Sequence, residues 1–323
     1  MRAPEVSFLI AAYDAAATIE AAIGSALAQQ GVSVEVIVVD DCSRDHTARR
    51  VAALAAGDPR VVLLAQAENA GPAAARNRAL AAARGDWVAI LDADDLMAPE
   101  RSRRLIELAR QTDSEMVADN ALRFLDEEPA VAWPLLPRRE PDHCFMVDLA
   151  AYLGRNAMTG GDANLGYLKP LFSRHFLEAH RIAYDERLRI GEDFNIVLKA
   201  LAVWGRFTIT SEPLYRYRML ARSLSRSLAP ADLEALIAAN EAALAGRIEE
   251  PRVRAAAAAY RRSAEDLMAF TAFRGAFRQR DWLPATRRAA DPRLWLTLRR
   301  MLANARERAR AERAARRAVA GSA

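Results

Sequence analysis

Apolar and polar positions along the first third of the chain alternate between two periods. Val6–Ala12 is a continuous apolar run of strand length, after which Ile19, Ala22, Ile23, Ala26 and Leu27 recur at helical spacing up to Gln30. The run over residues 34–39 repeats the strand signal with β-branched residues, and Thr47, Val51, Leu54 and Ala55 mark a second helix. Residues 61–64, a helix over 72–83 and a run over 87–91 continue the pattern. Short buried strands joined by helical crossovers predict an α/β fold. Its sheet is mostly parallel and doubly wound, covered on both faces, and takes ligands beyond the carboxyl ends of its strands.

Three of the loops at that edge are polar at the tip: Tyr13-Asp14, Asp40-Asp41-Cys42-Ser43 and Asp92-Ala93-Asp94-Asp95. Periodicity weakens over residues 119–166, where Pro129, Pro134, Pro137, Pro141 and a Gly160-Gly161-Asp162 turn predict irregular structure with short elements. Gly191-Glu192-Asp193 opens another helix through Phe194, Val197, Leu198 and Leu201. Residues 207–209 and 214–217 read as two short strands, and beyond Pro230 the pattern is helical to the end. We expect a catalytic domain over residues 1–227 and a basic helical region over 228–323, the former divided into a nucleotide-sugar half (1–120) and an acceptor half (121–227).

Composition narrows the function. The 323 residues are 52% hydrophobic and 27% charged, an ordinary soluble balance, with 46 basic residues against 42 acidic. Only Lys169 and Lys199 are lysines. Cys42 and Cys144 lack the spacing of a disulfide framework or a zinc site, which fits a reducing cytosol. The first apolar run is too short and too acidic for a secretory signal, and no stretch reaches the roughly 20 apolar residues of a membrane span, so membrane contact is expected to be peripheral. Neither GxxxxGK[ST] nor GxGxxG follows a strand, which argues against nucleotide hydrolysis and hydride transfer. His46, His143, His175 and His180 form no metal-like or triad-like set; Trp133 and Trp204 are candidates for stacking on a sugar ring, with a place in the core the expected reading.

Strand 87–91 would deliver Asp92, Asp94 and Asp95 to the ligand edge, where a hard divalent cation is held by one or two carboxylates plus phosphate oxygens. By itself such a motif is also a solvated acidic turn ahead of the helix at Pro99. Asp40-Asp41 alone equally suits a helix N-cap. The order of motifs is more specific: an apolar strand ending in Tyr13, a strand ending in Asp40-Asp41, Asn69-Ala70-Gly71-Pro72 with Ala75-Arg76-Asn77, Gly85-Asp86, then Leu91-Asp92-Ala93-Asp94.

In that order the chain resembles the family 2 glycosyltransferases, which have the GT-A fold, over residues 6–96 with further matches at 191–193 and 215–225. Within the family it is similar to bacterial exopolysaccharide enzymes, such as those assembling succinoglycan on a lipid carrier. The resemblance implies that Ala11 and Tyr13 line the nucleotide pocket, that Asp41 accepts a hydrogen bond from uracil, and that Arg76 lies near the donor diphosphate. It implies Asp92 beside ribose and metal, and Asp94 as ligand of Mn2+ or Mg2+, a Lewis acid for the departing diphosphate. Asp193 would take the proton from the acceptor hydroxyl, with Glu192 a rival or an acceptor-binding partner, and direct displacement would invert the anomeric carbon. Carboxylates in a first helical turn also simply suit the helix dipole.

Where a histidine often stands in the family segment the chain has Leu220, so that metal ligand is missing. Arg218, Arg222 and Ser223 are candidates for diphosphate contacts, or members of a basic surface loop. The implied donor is a UDP-sugar, with glucose the guess by resemblance, and the implied acceptor a lipid-linked saccharide. From Arg252 onward arginines outnumber carboxylates about three to one, and they mix with Tyr260, Phe270, Phe273, Phe277, Trp282 and Trp295. That mixture suits either docking on the inner face of the cytoplasmic membrane or packing against the catalytic domain. A nucleic-acid binder would leave the acidic loop tips unexplained. A sugar nucleotidyltransferase would be expected to carry a glycine-rich basic loop where this chain has Tyr13-Asp14-Ala15-Ala16-Ala17.

Overall fold

The computed structural model describes residues 3–136, 144–159, 164–219, 229–278 and 291–320. Strands β1 (Val6–Ala12), β2 (Val34–Asp40), β3 (Val61–Ala65) and β4 (Trp87–Ile90) alternate with helices α1 (Ile19–Leu27), α2 (Thr47–Gly57) and α3 (Pro72–Ala82). All four strands are mutually parallel, in the order β3-β2-β1-β4. The order reverses at β1, which has β2 on one side and β4 on the other. The crevice beyond the ends of β1 and β4 is therefore the topological switch point where such sheets bind ligands.

The sheet continues through β9 (Leu171–Ser173), β6 (Met116–Leu125), β10 (Phe207–Met219) and β5 (Leu96–Met97), with β7 (Ala132–Pro134) on β6 and β8 (Cys144–Met146) on β10. β6 and β10 run with the first four strands, while the short β5, β7, β8 and β9 run against them. Two sequence expectations change here. The segment after Asp119 is not irregular at its start: β6 is a 10-residue strand beginning at Met116. The two short strands expected around Pro213 are one 13-residue strand, whose register with β6 shifts at Pro213 because proline brings no N–H to the ladder.

β2 is buried along its whole length, including Glu35. That carboxylate is tolerated because Ser7 Oγ donates to it at 2.6 Å and the Arg84 backbone N–H and Nε donate at 2.8 and 2.9 Å. Gly85 makes the arrangement possible, since a Cβ there would lie 2.6 Å from the Ser7 backbone nitrogen.

The other face elements are α4 (Arg101–Thr112), α5 (Leu149–Arg155), α6 (Arg174–Ala179) and α7 (Glu192–Ala202), with a 3-10 turn at Leu165–Tyr167. Helices α8 (Pro230–Leu244), α9 (Pro251–Arg278) and α10 (Pro292–Ala320) follow. Leu236, Ala239 and Leu244 of α8 and Val253 and Tyr260 of α9 belong to the same apolar core as the sheet. Trp133 is buried as expected, but Trp204 is 72% exposed. It stands at positive φ just past the end of α7, and the Arg247 guanidinium covers its ring at 3.4 Å. Among the described residues no helix is long and apolar enough to cross a membrane.

Candidate functional site

The strand ends bring the expected residues to one edge. The backbone of Asp41 donates to the Ala12 carbonyl at 2.8 Å, which sets the end of β2 beside that of β1, where Ala11 is half-buried and Tyr13 exposed. The Asp41 carboxylate is buried and accepts from Gln66 Nε2 at 2.5 Å and from the backbone N–H groups of Ala70 and Gly71 at 2.8 Å each. It thereby ties the loop before α3 to β2. Oδ2 takes only the Gly71 donor among the described residues, so one acceptor position remains.

At the end of β4, one carboxylate oxygen from each of Asp92, Asp94 and Asp95 lies within 4.8 Å of the others. Tyr215 on β10 organises this turn: its hydroxyl donates to Asp95 Oδ2 at 2.8 Å and accepts from the Asp92 N–H at 3.2 Å. Arg218 completes it, donating from its backbone to Asp95 Oδ1 at 2.7 Å and from Nε to the Asp94 carbonyl at 2.6 Å, with a further ion pair to Asp126. Arg218 thus braces the acidic turn.

Burial and the Asp92 charge push the Asp94 carboxyl up to about 6, and burial with Asp92 and Asp94 pushes Asp95 well above the usual range. No ion pair reaches Asp94 among the described residues. Three oxygen donors gathered on one turn, with the charge of Asp94 and Asp95 disfavoured as they stand, fit a divalent hard cation.

Arg76 on α3 and Lys169, just ahead of β9, join this turn to the start of α7. Arg76 Nη2 meets Asp92 Oδ1 at 2.8 Å while Nη1 pairs with Glu192 and lies 3.2 Å from Asp193 Oδ1. Lys169 Nζ lies 2.7 Å from Asp92 Oδ2 and 2.6 Å from Asp193 Oδ2. Two buried cations and the carboxylates of Asp92 and Asp193 therefore form a closed ring, to which Glu192 is joined through Arg76. Burial raises the Asp92 carboxyl, but Lys169 and Arg76 outweigh it and hold the group below its ordinary value. Burial lowers the Lys169 ammonium, but Asp193 and Asp92 outweigh it and hold the group well above its ordinary value. Glu192 stays raised because its burial outweighs Arg76.

Asp92, Asp94, Glu192, Asp193 and Arg76 are thus brought together, with Ala11, Tyr13 and Asp41 at the adjoining strand ends. Leu220, Arg222, Ser223 and the Gly160-Gly161-Asp162 turn lie outside the described residues. Lys169 escaped the sequence reading, although its rarity was a signal: it is one of two lysines in an arginine-rich chain. Tyr184 escaped as well, and only its place under Arg76, 5.7 Å from guanidinium carbon to ring centre, gives it a role.

The glycosyl transferase family 2 model matches residues 7–176. The succinoglycan biosynthesis protein ExoO of Rhizobium meliloti is 42% identical over 252 residues, 75% of this chain and 69% of that protein. ExoU of the same organism is 37% identical over 245 residues, 75% and 70% of the two chains. Among solved structures, S. aureus TarS 1-349 in complex with UDP-GlcNAc superposes with a TM-score of 0.63 at 20% identity, covering 79% of this chain and 71% of that one. The mannosyltransferase PcManGT from Pyrobaculum calidifontis, in complex with GDP-Man and Mn2+, gives 0.53 at 19% identity, covering 92% and 84%. These likenesses bear out the GT-A-like fold, and with the matched model and the curated relatives they establish that the chain belongs to glycosyl transferase family 2.

Proposed function

We propose that the protein is an inverting, metal-dependent glycosyltransferase of exopolysaccharide assembly. It moves a sugar, glucose in this reading, from a UDP-sugar to a hydroxyl of a lipid-linked saccharide. The observation that carries the reading is the convergence of Asp92, Asp94 and Asp95 with Arg76, Lys169 and the Glu192-Asp193 pair at the switch point of the sheet. An acidic turn for a cation and an acidic helix start for a proton acceptor lie across one ring of charges, as a displacement with donor and acceptor on opposite sides requires. The succinoglycan assignment of ExoO and ExoU supports the pathway class.

Ala11, Tyr13 and the open acceptor position of Asp41 would receive the nucleoside, and Arg76 would face the diphosphate. Asp94 and Asp92 would hold Mn2+ or Mg2+, which when bound supplies a Lewis acid for charge on the leaving diphosphate. Asp193 would accept the acceptor proton, oriented by Lys169, with Glu192 beside it steadying Arg76. Arg218 would act through the turn it braces, and Arg222 and Ser223 remain diphosphate candidates by sequence. Residues 1–227 would be the catalytic domain and 228–323 the helical region. Its α10 exposes Trp295, Leu296 and Leu302 alongside Arg299, Arg306 and Arg310, which suits peripheral contact with an anionic membrane at the cytoplasmic face.

The test is thermal stabilisation by UDP and UDP-sugars with and without Mn2+. Metal-dependent stabilisation that vanishes in Asp94→Ala is the expected result, because a ligand bound only to the native state raises its apparent stability. Absence of any nucleotide response would remove the donor-site reading.

A further inference from the structure

Three contacts from α8 and α9, one of them shared with α5, reach the start of α7 within two residues of Asp193. Gly191, at φ 82, faces Leu236 of α8, and a Cβ there would come within 2.9 Å of both Leu236 methyl carbons. Asn195 Nδ2 donates to Asn240 Oδ1 of α8 at 2.9 Å, with both residues buried. The Phe194 ring lies stacked between Tyr152 of α5, at 5.0 Å and 8°, and Tyr260 of α9, at 4.9 Å and 3°. We propose that α8 and α9 are the positioning frame of Asp193, with Tyr260 as its principal residue, an inference that rests on Asp193 being the base of the proposed reaction.

The two sides of α7 differ in kind. Toward the crevice, Asp193 is held by Arg76 and Lys169, cations also shared with Asp92 and attracted by any diphosphate that enters. Away from it, the grip is made of neutral rings, an amide pair and a glycine–leucine contact, and none of these responds to charge in the crevice. The carboxylate can therefore exchange partners while its backbone stays in register, and an error of about 1 Å in a reacting group costs on the order of a hundredfold in rate. Stacked rings hold one another in place beyond what their burial alone supplies, which biases the first turn of α7.

The experiment compares full-length wild type with Tyr260→Leu, Tyr260→Phe and Asn240→Ala. It follows UDP release from UDP-glucose with Mn2+, water taking the glucosyl group in place of the acceptor hydroxyl, together with UDP affinity by calorimetry and hydrogen exchange of α7 amides. Tyr260→Leu is expected to lower kcat at least tenfold and to speed exchange at residues 191–195, with UDP affinity and donor KM within about twofold. Tyr260→Phe, which keeps the ring, restores both, and Asn240→Ala gives a smaller change in the same direction. Unchanged α7 exchange, or faster exchange with unchanged kcat, overturns the proposal. Asp193→Asn is the separate control: if it retains full turnover, the base assignment itself falls, whatever the Tyr260 variants do.

Discussion

Lys169 and Asp193, 24 residues apart in the chain, are joined by a 2.6 Å ion pair, and the same ammonium reaches Asp92 at 2.7 Å. One lysine side chain thus spans the gap between the acidic turn and the start of α7. Lys169→Met should leave a folded protein whose kcat for UDP release falls about a hundredfold, because Asp193 is then aimed by Arg76 alone. Lys169→Arg should recover part of that loss. Equal rates in wild type and Lys169→Met would show that the ammonium orients nothing.

Arg101 and Asp119 are both fully buried and paired at 2.7 Å, and Arg101 also donates to the Lys169 carbonyl and lies 5.0 Å over the Tyr215 ring. Arg101→Met leaves a buried carboxylate without its partner and should cost about 3–5 kcal/mol. The readout is the urea midpoint. Arg101→Met combined with Asp119→Leu should recover much of it, since an apolar pair of similar volume can replace a buried ion pair. A midpoint within error of wild type for the single variant contradicts the account.

Burial raises the Glu35 carboxyl, but hydrogen bonds from Ser7 and Arg84 outweigh it and hold the group below its ordinary 4.5. A carboxyl depressed in the folded state stabilises fully above 4.5, and that contribution is lost as pH falls through the folded value. Glu35→Gln should therefore melt below wild type at neutral pH, and the gap should narrow below pH 4.5. A constant Tm difference across the acid range would assign the effect to packing rather than to charge.

For α10, the expectation is binding to vesicles that contain anionic lipid and not to purely zwitterionic ones. Replacing Arg299, Arg306 and Arg310 by Glu should abolish co-flotation while leaving UDP release from UDP-glucose in solution unchanged. Each arginine near such a surface contributes about 1 kcal/mol, so the triple change is decisive. Flotation unaffected by the substitutions would leave these arginines merely solvated.

The parallel half of the fold could be read directly from periodicity because β1 and β2 are apolar over most of their length and the intervening helices carry clear stripes. β6 could not. Its Asp119 and Asn120 break the apolar run, and only tertiary partners explain them: Arg101 for the first, and the Leu136 backbone for the second, at 2.8 and 3.1 Å. The acidic members of the candidate site were flagged by their place at strand ends and a helix start, but alone each equally suited a solvated turn or a helix cap, and only the order of motifs gave them roles. Their cations were harder to see. Arg76 came from a motif, but Lys169 sits in a stretch without periodicity, where no local rule says which distant carboxylate a lysine will meet. Trp204 misled for the opposite reason, since a large aromatic was expected to be buried and is instead capped by one arginine at the surface.

The Asp92 carboxylate divides its two oxygens between Arg76 and Lys169; Arg76 also holds both Glu192 and Asp193 at the start of α7, and Lys169 holds Asp193. Position 92 is for that reason a poor place for change by single steps. A substitution there disturbs the acidic turn and the start of α7 together, and no one compensating replacement restores both. Randomising Asp92 alone should yield almost only inactive clones. A library that varies positions 76, 92, 169 and 192 jointly, with the summed charge kept, has the better prospect of reaching a new donor preference.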